Sequence, residues 1–267
     1  MSIRGAPQSA PVNRAWLIAG LLVTAASMAA TGLTACTQIA GSGPVLSEHQ
    51  GHTYHHMVSR VEIVLDSGNI TLSPGQAGQV VVDRRLRWKH VKPVVTEVWD
   101  GGTLRVSSVC PNQDNCSVDY TLRVPASVTV SAHTAAGDVT AHEVTGAMDL
   151  RSESGDIKVT NPGAQVRIQG DSGNITGTGL RSTDVEVHTS SGDITLGFTV
   201  PPSTVTAVTQ AGTVRIAVPR AGSGSDGYQV HASTTSGQRQ VRIRQDSAGQ
   251  RSITASTESG DVIISYA

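Results

Sequence analysis

SGDIKV, at residues 154–159, recurs with small changes along the second half of the chain. Its copies are AGDVTA (136–141), SGNITG (172–177), SGDITL (191–196), AGTVRI (211–216) and SGDVII (259–264), with a degenerate SGQRQVRI at 236–243 and an early SGNITL at 67–72. From Gly137 onward the shared glycines are 18, 18, 19, 20, 25 and 23 residues apart. This spacing predicts a repeat architecture, in which each unit buries its apolar face only by stacking on its neighbours.

Alignment of the copies places aliphatic residues in columns. Three columns are Ile157, Ile175 and Ile194; Met148, Val166 and Val185; and Leu150, Ile168 and Val187. Parallel coils in register stack equivalent side chains, so the columns predict an all-β fold built as a parallel β-solenoid, or β-helix-like stack, of 18–25-residue coils. Strands between residues 58 and 125 are expected to form an N-terminal β capping region or to continue the solenoid, and the sequence does not decide between the two. A twisted β-sandwich of hairpins is the alternative, since short strands with glycine turns also suit that fold.

The Gly-Asx pair of each copy is expected to shape a turn. Glycine adopts positive φ without a Cβ penalty, and a following Asp or Asn can hydrogen-bond the turn backbone. The repeat-turn residues are Gly137, Asp138, Gly155, Asp156, Gly173, Asn174, Gly192, Asp193, Gly260 and Asp261. These side chains therefore already have a structural role.

The N-terminus has the order of a signal peptide. Arg4 and Arg14 precede residues 15–35, which contain no charged residue. The sequence LTAC, ending at Cys36, resembles the bacterial lipobox, whose cysteine receives diacylglycerol. We therefore expect residues 1–35 to be a lipoprotein signal peptide and Cys36 to anchor the protein on the extracytoplasmic face of the cell membrane. An uncleaved, membrane-embedded helix is the alternative, because about twenty apolar residues can span a bilayer.

Residues 36–57 are rich in Gly, Ser, Thr and His and predict a flexible tether, which leaves 58–267 as the β-strand repeat domain. The tether holds a dense set of metal-capable side chains, His49, His52, His55 and His56. They could bind Zn²⁺ or Cu²⁺, but a solvated tether accounts for them too, and no cofactor is predicted. Without residues 1–35 the chain has 18 basic and 21 acidic residues, which does not suggest a nucleic-acid partner.

Cys110 and Cys116 bracket a short polar loop, CPNQDNC. Disulfides persist outside the cytoplasm, so a bridge that pins a hairpin tip is expected here. A zinc site is the alternative, although structural zinc requires four ligands and the chain offers no second cysteine pair.

Apparent catalytic and metal-binding motifs fall within the repeat. GDSG at 170–173 resembles the nucleophile region of trypsin-like proteases, but Ser172 occupies a position that recurs in other coils. Calcium-binding β-rolls require GGxGxD phrases, whereas the coils here carry one acid and no preceding GG. Asp156 and Asp193 could form the acid pair of a glycan-cleaving β-helix, yet the repeat alone explains their spacing.

The segment RRLRWKH, from Arg84 to His90, alternates apolar and basic residues. On a strand this gives one apolar and one basic face. The basic face could contact membrane phospholipid or anionic polymers, or simply be solvated.

The chain resembles the DUF4097 family of adhesin-type domains with β-strand repeats. The resemblance is carried by the SGD and SGN phrases, by RRLRW (84–88), and by the CxxxxxC segment before SVDYTLRVPA, and it covers about residues 58–267. It implies a β-solenoid-like fold at the cell surface. We expect a non-enzymatic surface lipoprotein, an adhesin or interaction scaffold, with the membrane and envelope glycans or membrane proteins as partners. The alternatives are an envelope-stress or ligand-sensing module and a carbohydrate-active β-helix enzyme.

Overall fold

Two sheets of eleven and ten strands form the protein in a computed structural model, which describes residues 43–111, 115–220 and 227–267. The strands are β1 Leu46–Tyr54, β2 Arg60–Ser67, β3 Ile70–Pro74, β4 Val80–Trp88, β5 Val94–Asp100, β6 Thr103–Val109, β7 Ser117–Val124, β8 Thr129–Ala136, β9 Val139–His142, β10 Met148–Ser154, β11 Ile157–Thr160, β12 Val166–Ser172, β13 Ile175–Leu180, β14 Asp184–Ser191, β15 Ile194–Phe198, β16 Thr204–Ala211, β17 Val214–Val218, β18 Tyr228–Ser236, β19 Arg239–Val241, β20 Arg251–Ser259 and β21 Val262–Tyr266. Across these described ranges, no helix is long and apolar enough to cross a membrane.

Each repeat forms one coil of a parallel solenoid, with one strand in each sheet. The first sheet has the order β1-β4-β7-β3-β9-β11-β13-β15-β17-β21-β19, and the second has the order β18-β20-β16-β14-β12-β10-β8-β2-β6-β5. Neighbouring repeat strands pair in parallel, with Ile157 opposite Ile175 and Ile175 opposite Ile194, as the aligned columns predict. The predicted solenoid is therefore confirmed, and the hairpin sandwich is excluded because hairpins would pair these strands antiparallel.

The order of the coils departs from the order of the sequence at the C-terminal end. The last coil, β20–β21, lies between β16–β17 and β18–β19. Ile253 and Ala255 of β20 are buried, whereas Val230 and Ala232 of β18 are only partly buried. The degenerate repeat therefore occupies the end of the stack, where one side has no neighbouring coil.

The N-terminal region both continues the solenoid and caps it. Strands β2–β3 and β6–β7 pair in parallel with each other and extend the stack. The cap consists of antiparallel strands, with β1 and β4 at the end of one sheet and β5 at the end of the other.

Strand β1 corrects the predicted tether. Residues 46–54, which belong to the segment 36–57, pair with β4 along their whole length, from Leu46 opposite Trp88 to Tyr54 opposite Val80. The strand carries almost no apolar alternation because it is an edge strand whose residues are mostly exposed. Backbone pairing to β4 supplies the order that the sequence pattern does not show.

The turns of the coils stack into a continuous glycine ladder. The shared glycines have φ between +132° and +149°, and a Cβ on those from Gly137 onward would lie 2.0–2.2 Å from the carbonyl oxygen of the stacked glycine beneath. Only glycine fits this position, because both the backbone angle and the available space exclude a side chain.

An Asx ladder runs beside the glycines. Asp138 Oδ1 accepts the backbone N–H of Asp156 at 2.9 Å, and Asp156 Oδ1 accepts that of Asn174 at 2.7 Å. The same contact continues through Asp193 and Thr213 at 2.7 Å. Each side chain thus accepts a hydrogen bond from a backbone N–H in the turn of the next coil. The row of Asp and Asn side chains therefore stabilises the stacking of the coils.

The predicted disulfide between Cys110 and Cys116 is formed, with Cα atoms 5.7 Å apart. Both cysteines are buried at the junction of β6 and β7, and the N–H of Cys110 donates to Asp66 Oδ2 at 3.0 Å. The bridge therefore fixes the connection between β6 and β7.

Replacement of both cysteines by serine is expected to lower the free energy of unfolding by about 2 kcal/mol, because a short closed loop would regain its freedom in the unfolded chain. Urea denaturation of the variant and of the reduced wild type would measure this loss. Equal stability of the oxidised and reduced protein would contradict the expectation.

Candidate functional site

A polar cleft of about 300 Å³ lies at the capped end of the stack, where β1 and β4 approach β5. It is lined by Gln50, Gly51, His52, Tyr54, Val82, Arg84 and Glu97. The cleft exists because the regular coils stop here, and the antiparallel cap strands place polar residues where the coils carry aliphatic ones.

An ion pair between Arg84 and Glu97 forms the floor of this cleft. Their side chains are only 22% and 7% exposed. Arg84 follows Val80 and Val82 in the inward register of β4, and Glu97 lies on the less exposed face of edge strand β5. Both charges thus occupy positions that are aliphatic in a regular coil, and each is retained because the other lies beside it.

Two neighbours complete the hydrogen bonding of the pair. The hydroxyl of Tyr54 donates to Glu97 Oε2 at 2.5 Å, and Arg84 Nε donates to Gln50 Oε1 at 2.6 Å. Arg84 also donates to Glu97 Oε1, so both carboxylate oxygens are engaged. The charges are therefore held in fixed positions by residues from three strands.

Aromatic rings border the ion pair. Trp99 meets the ring of Tyr54 edge-on at 5.4 Å and lies 4.4 Å from the ring of His56. The ring of His52 lies 4.3 Å from that of Tyr54. Two of the four histidines considered as metal ligands, His52 and His56, therefore pack against aromatic rings.

Among the described residues no group of three or more His, Cys, Asp or Glu could hold a metal ion. His49 faces Arg85 across the β1–β4 pair, and His55 follows the end of β1. The structure therefore distributes the four histidines along an edge strand and the segment after it.

Tyr120 lies beneath the cleft and is 1% exposed. Its hydroxyl lies beside Arg84 and Glu97. In the described part of the chain the buried Nε1 of Trp99 has no hydrogen-bond partner. Burial, reinforced by the negative charge of Glu97, raises the pKa of Tyr120 to about 12. Burial and the hydrogen bond to Glu97 raise the pKa of Tyr54 to about 12. Strongly perturbed groups thus cluster at this end of the molecule.

We expect Tyr54 and Tyr120 to ionise near pH 12 in the folded protein, about two pH units above an ordinary tyrosine at 10. The unfolded chain loses these protons first, so stability should fall as the pH rises from 10 towards 12. Ultraviolet absorbance of tyrosinate measures the titration, and Tyr54→Phe should remove one of the late groups. Ionisation of all four tyrosines near pH 10 without unfolding would contradict this.

A second, larger concavity runs along the opposite turns of the coils. It has a volume of about 1080 Å³ and includes Glu143, Asn161, Gly179 and Arg181 in its lining. Glu143, Asn161 and Gly179 all have positive φ and occupy successive turns. This groove follows from the stacking of similar turns and contains no buried charged pair among the described residues.

The residues of the apparent catalytic motifs occupy repeated positions in the stacked coils. Ser172 pairs in register with Ser154 and Ser191, its equivalents in the adjacent coils. Asp156 and Asp193 lie on the same edge with Asn174 between them, and each uses Oδ1 to accept a turn N–H. These oxygens serve the Asx ladder.

Sequence patterns singled out His52 and Arg84 for other roles and did not predict the cleft that they line. The signal of the cleft is a polar residue in the inward register of an otherwise apolar strand: Arg84 between Val82 and Leu86, and Glu97 between Val95 and Trp99. The basic segment on β4 has the predicted alternation, with Leu86 buried and Arg85 and Arg87 exposed. Cys36 and the signal segment 1–35 lie outside the described residues.

A family model described as Toastrack DUF4097 matches residues 53–265, which confirms the resemblance noted in the repeats. A candidate cell adhesion protein from Clostridium sporogenes gives a TM-score of 0.35 at 8% identity, over 83% of this chain and 100% of that chain. A candidate adhesin from Bacteroides fragilis gives 0.49 at 13% identity, over 82% of this chain and 97% of that chain. No curated protein matches the sequence.

Proposed function

Since the chain belongs to the Toastrack DUF4097 family, we propose that it is a non-enzymatic, lipid-anchored binding protein of the cell surface. Its rigid stack carries the polar cleft, and the cleft binds a sugar-sized part of an envelope glycan. The observation that carries this proposal is the buried Arg84–Glu97 pair, bordered by Tyr54 and Trp99.

The chemistry of the cleft suits a polyhydroxylated ligand. Its volume of about 300 Å³ matches a single sugar ring better than a large apolar molecule. Gln50 and His52 line its wall and offer hydrogen-bonding groups, Arg84 adds guanidinium donors, and the hydroxyl oxygen of Tyr54 adds an acceptor. Aromatic rings beside such groups are suited to the apolar faces of sugars.

The same geometry argues for binding without turnover. Among the described residues that line the cleft, Glu97 is the single carboxylate. Both of its oxygens accept hydrogen bonds, from Arg84 and Tyr54. Glycoside hydrolysis normally uses two carboxyl groups that flank the bond to be cleaved. The cleft supplies one, and that one is engaged in holding the site together.

The direct test is isothermal titration of a soluble 43–267 fragment with purified peptidoglycan fragments and envelope polysaccharides. This fragment contains the whole of the described core, which packs within residues 61–264. We expect saturable binding that falls at least about tenfold in the variant Gln50→Ala with His52→Ala, since two polar contacts are lost.

The matched control is His133→Ala with Gln169→Ala, which removes the same two residue types from the outer face of the second sheet. Binding should be unchanged in this control. Absence of saturable binding, or an equal loss in both variants, would contradict the proposal.

A further inference from the structure

Exposed apolar residues are concentrated near one end of the solenoid. In the described ranges, eight of the nine exposed large hydrophobic residues fall between positions 45 and 109, and the ninth is Val200. Six of these eight lie on the cap strands or in the segments beside them, and Val64 and Val109 lie on the adjoining strands β2 and β6. A soluble surface usually scatters such residues singly, so a concentration of them indicates a contact surface.

Five of them form what we call the apolar corner: Val45, Leu46, Val91, Val94 and Val109. Strand pairing places Leu46 opposite Trp88 at the end of β4 in one sheet, and Val94 opposite Val109 at the end of the other. The loop 89–93 joins these two pairs and carries Val91. Its Lys92 lies over the Trp88 ring at 5.4 Å, which holds the loop against the corner.

The corner is also basic. Residues 85–92 contain four Lys and Arg residues and no acid. Arg85 and Lys89 have no ion pair among the described residues, whereas Arg87 pairs with Asp119 and Lys92 with Glu48. The side chains of Arg87 and Lys92 are nevertheless 44% and 47% exposed. Basic side chains therefore lie on the strand and in the loop that carry part of the apolar corner.

We propose that the apolar corner docks on the anionic surface of the membrane, with its valines at the headgroup boundary and its basic residues against lipid phosphates. Exposed apolar groups beside lysine and arginine are the combination that binds such interfaces. This inference rests on the proposed lipid anchor for its geometry. Cys36 lies nine positions before Val45, a stretch that spans at most about 30 Å, so a lipidated Cys36 would hold the corner near the bilayer.

Docking in this way has a consequence for the cleft. The cleft and the corner share strands β1, β4 and β5, so both would lie at the membrane-proximal end of the stack. The glycan that enters the cleft would then be one that is presented close to the lipid surface.

The test uses the 43–267 fragment, which lacks Cys36, in co-sedimentation with vesicles of phosphatidylcholine alone or mixed with phosphatidylglycerol. We expect binding to the mixed vesicles at low salt, weakened by salt and at least about tenfold weaker in Lys89→Glu with Val91→Asp. The matched control, Lys158→Glu with Val200→Asp, changes an exposed lysine and an exposed valine elsewhere on the stack and should bind like wild type.

Equal binding of both variants, or no preference for anionic vesicles, would overturn the inference. A dimer in sedimentation velocity that Val91→Asp abolishes would also overturn it, because the corner would then be an interface between two copies. Circular dichroism checks that the variants remain folded. The fragment carries no lipid, and no glycan is added. A negative result with vesicles therefore contradicts the docking of the corner alone, and lipidation of Cys36 and glycan binding by the cleft are tested by separate experiments.

Discussion

Gly192→Ala is expected to destabilise the folded domain by about 4 kcal/mol. Gly192 has a φ of +137°, a region that is essentially restricted to glycine and costs other residues about 1–3 kcal/mol. A Cβ would also lie 2.0 Å from the carbonyl oxygen of Gly173. That oxygen belongs to the backbone of the neighbouring coil and cannot move without breaking the stacked turns. The clash therefore adds to the strain.

Thermal denaturation measures this effect, and a loss of about 4 kcal/mol corresponds to a fall in Tm of roughly 10 °C for a domain of this size. Gly197→Ala is the matched control in the same coil. A Cβ there meets its nearest atom at 3.9 Å, and Gly197 is not among the glycines with positive φ. Similar changes in Tm for both variants would show that the glycine ladder does not constrain the stack.

Arg84→Leu is expected to destabilise the domain by about 3–5 kcal/mol, because it leaves Glu97 buried without its counter-charge. Glu97 is 7% exposed and would keep the hydrogen bond from Tyr54 but lose its counter-charge. Urea denaturation measures the loss. The double variant Arg84→Leu with Glu97→Leu removes the isolated charge and should recover most of the stability.

Arg105→Leu is the matched control for this prediction. Arg105 pairs with Glu62 at 2.9 Å and with Asp100 at 3.1 Å, but its side chain is 54% exposed. Solvent screens such pairs, so no measurable change is expected. A double variant no more stable than Arg84→Leu would show that the two charges are not coupled.

Most of the solenoid could be predicted from the sequence, because each column of aliphatic residues recurs in several repeats. Ile157, Ile175 and Ile194 align through the spacing of their glycines alone, and the same three residues pair in register between coils. The placement of β20–β21 between two earlier coils could not be predicted in this way. Several repeats have similar sequences, so the sequence does not show which coil forms the end of the stack. The burial of apolar side chains in the complete stack decides this.

The cap and its cleft were less predictable for a different reason. Strand β1 is ordered by backbone pairing with β4, so its side chains do not show the alternation of a buried strand. Arg84 and Glu97 lie 13 residues apart and come together only through the packing of two sheets. A charged residue in an inward register indicates that a partner exists, but the sequence does not name the partner.

A lipid on Cys36 would attach the protein, with its cleft and corner, to the cell surface. Metabolic labelling of the full chain with a palmitate analogue tests this proposal most directly. We predict that the wild type incorporates the label and fractionates with membranes, and that Cys36→Ala incorporates none. A Cys36→Ala protein that is still labelled and still bound to the membrane would contradict the account and favour an uncleaved membrane helix.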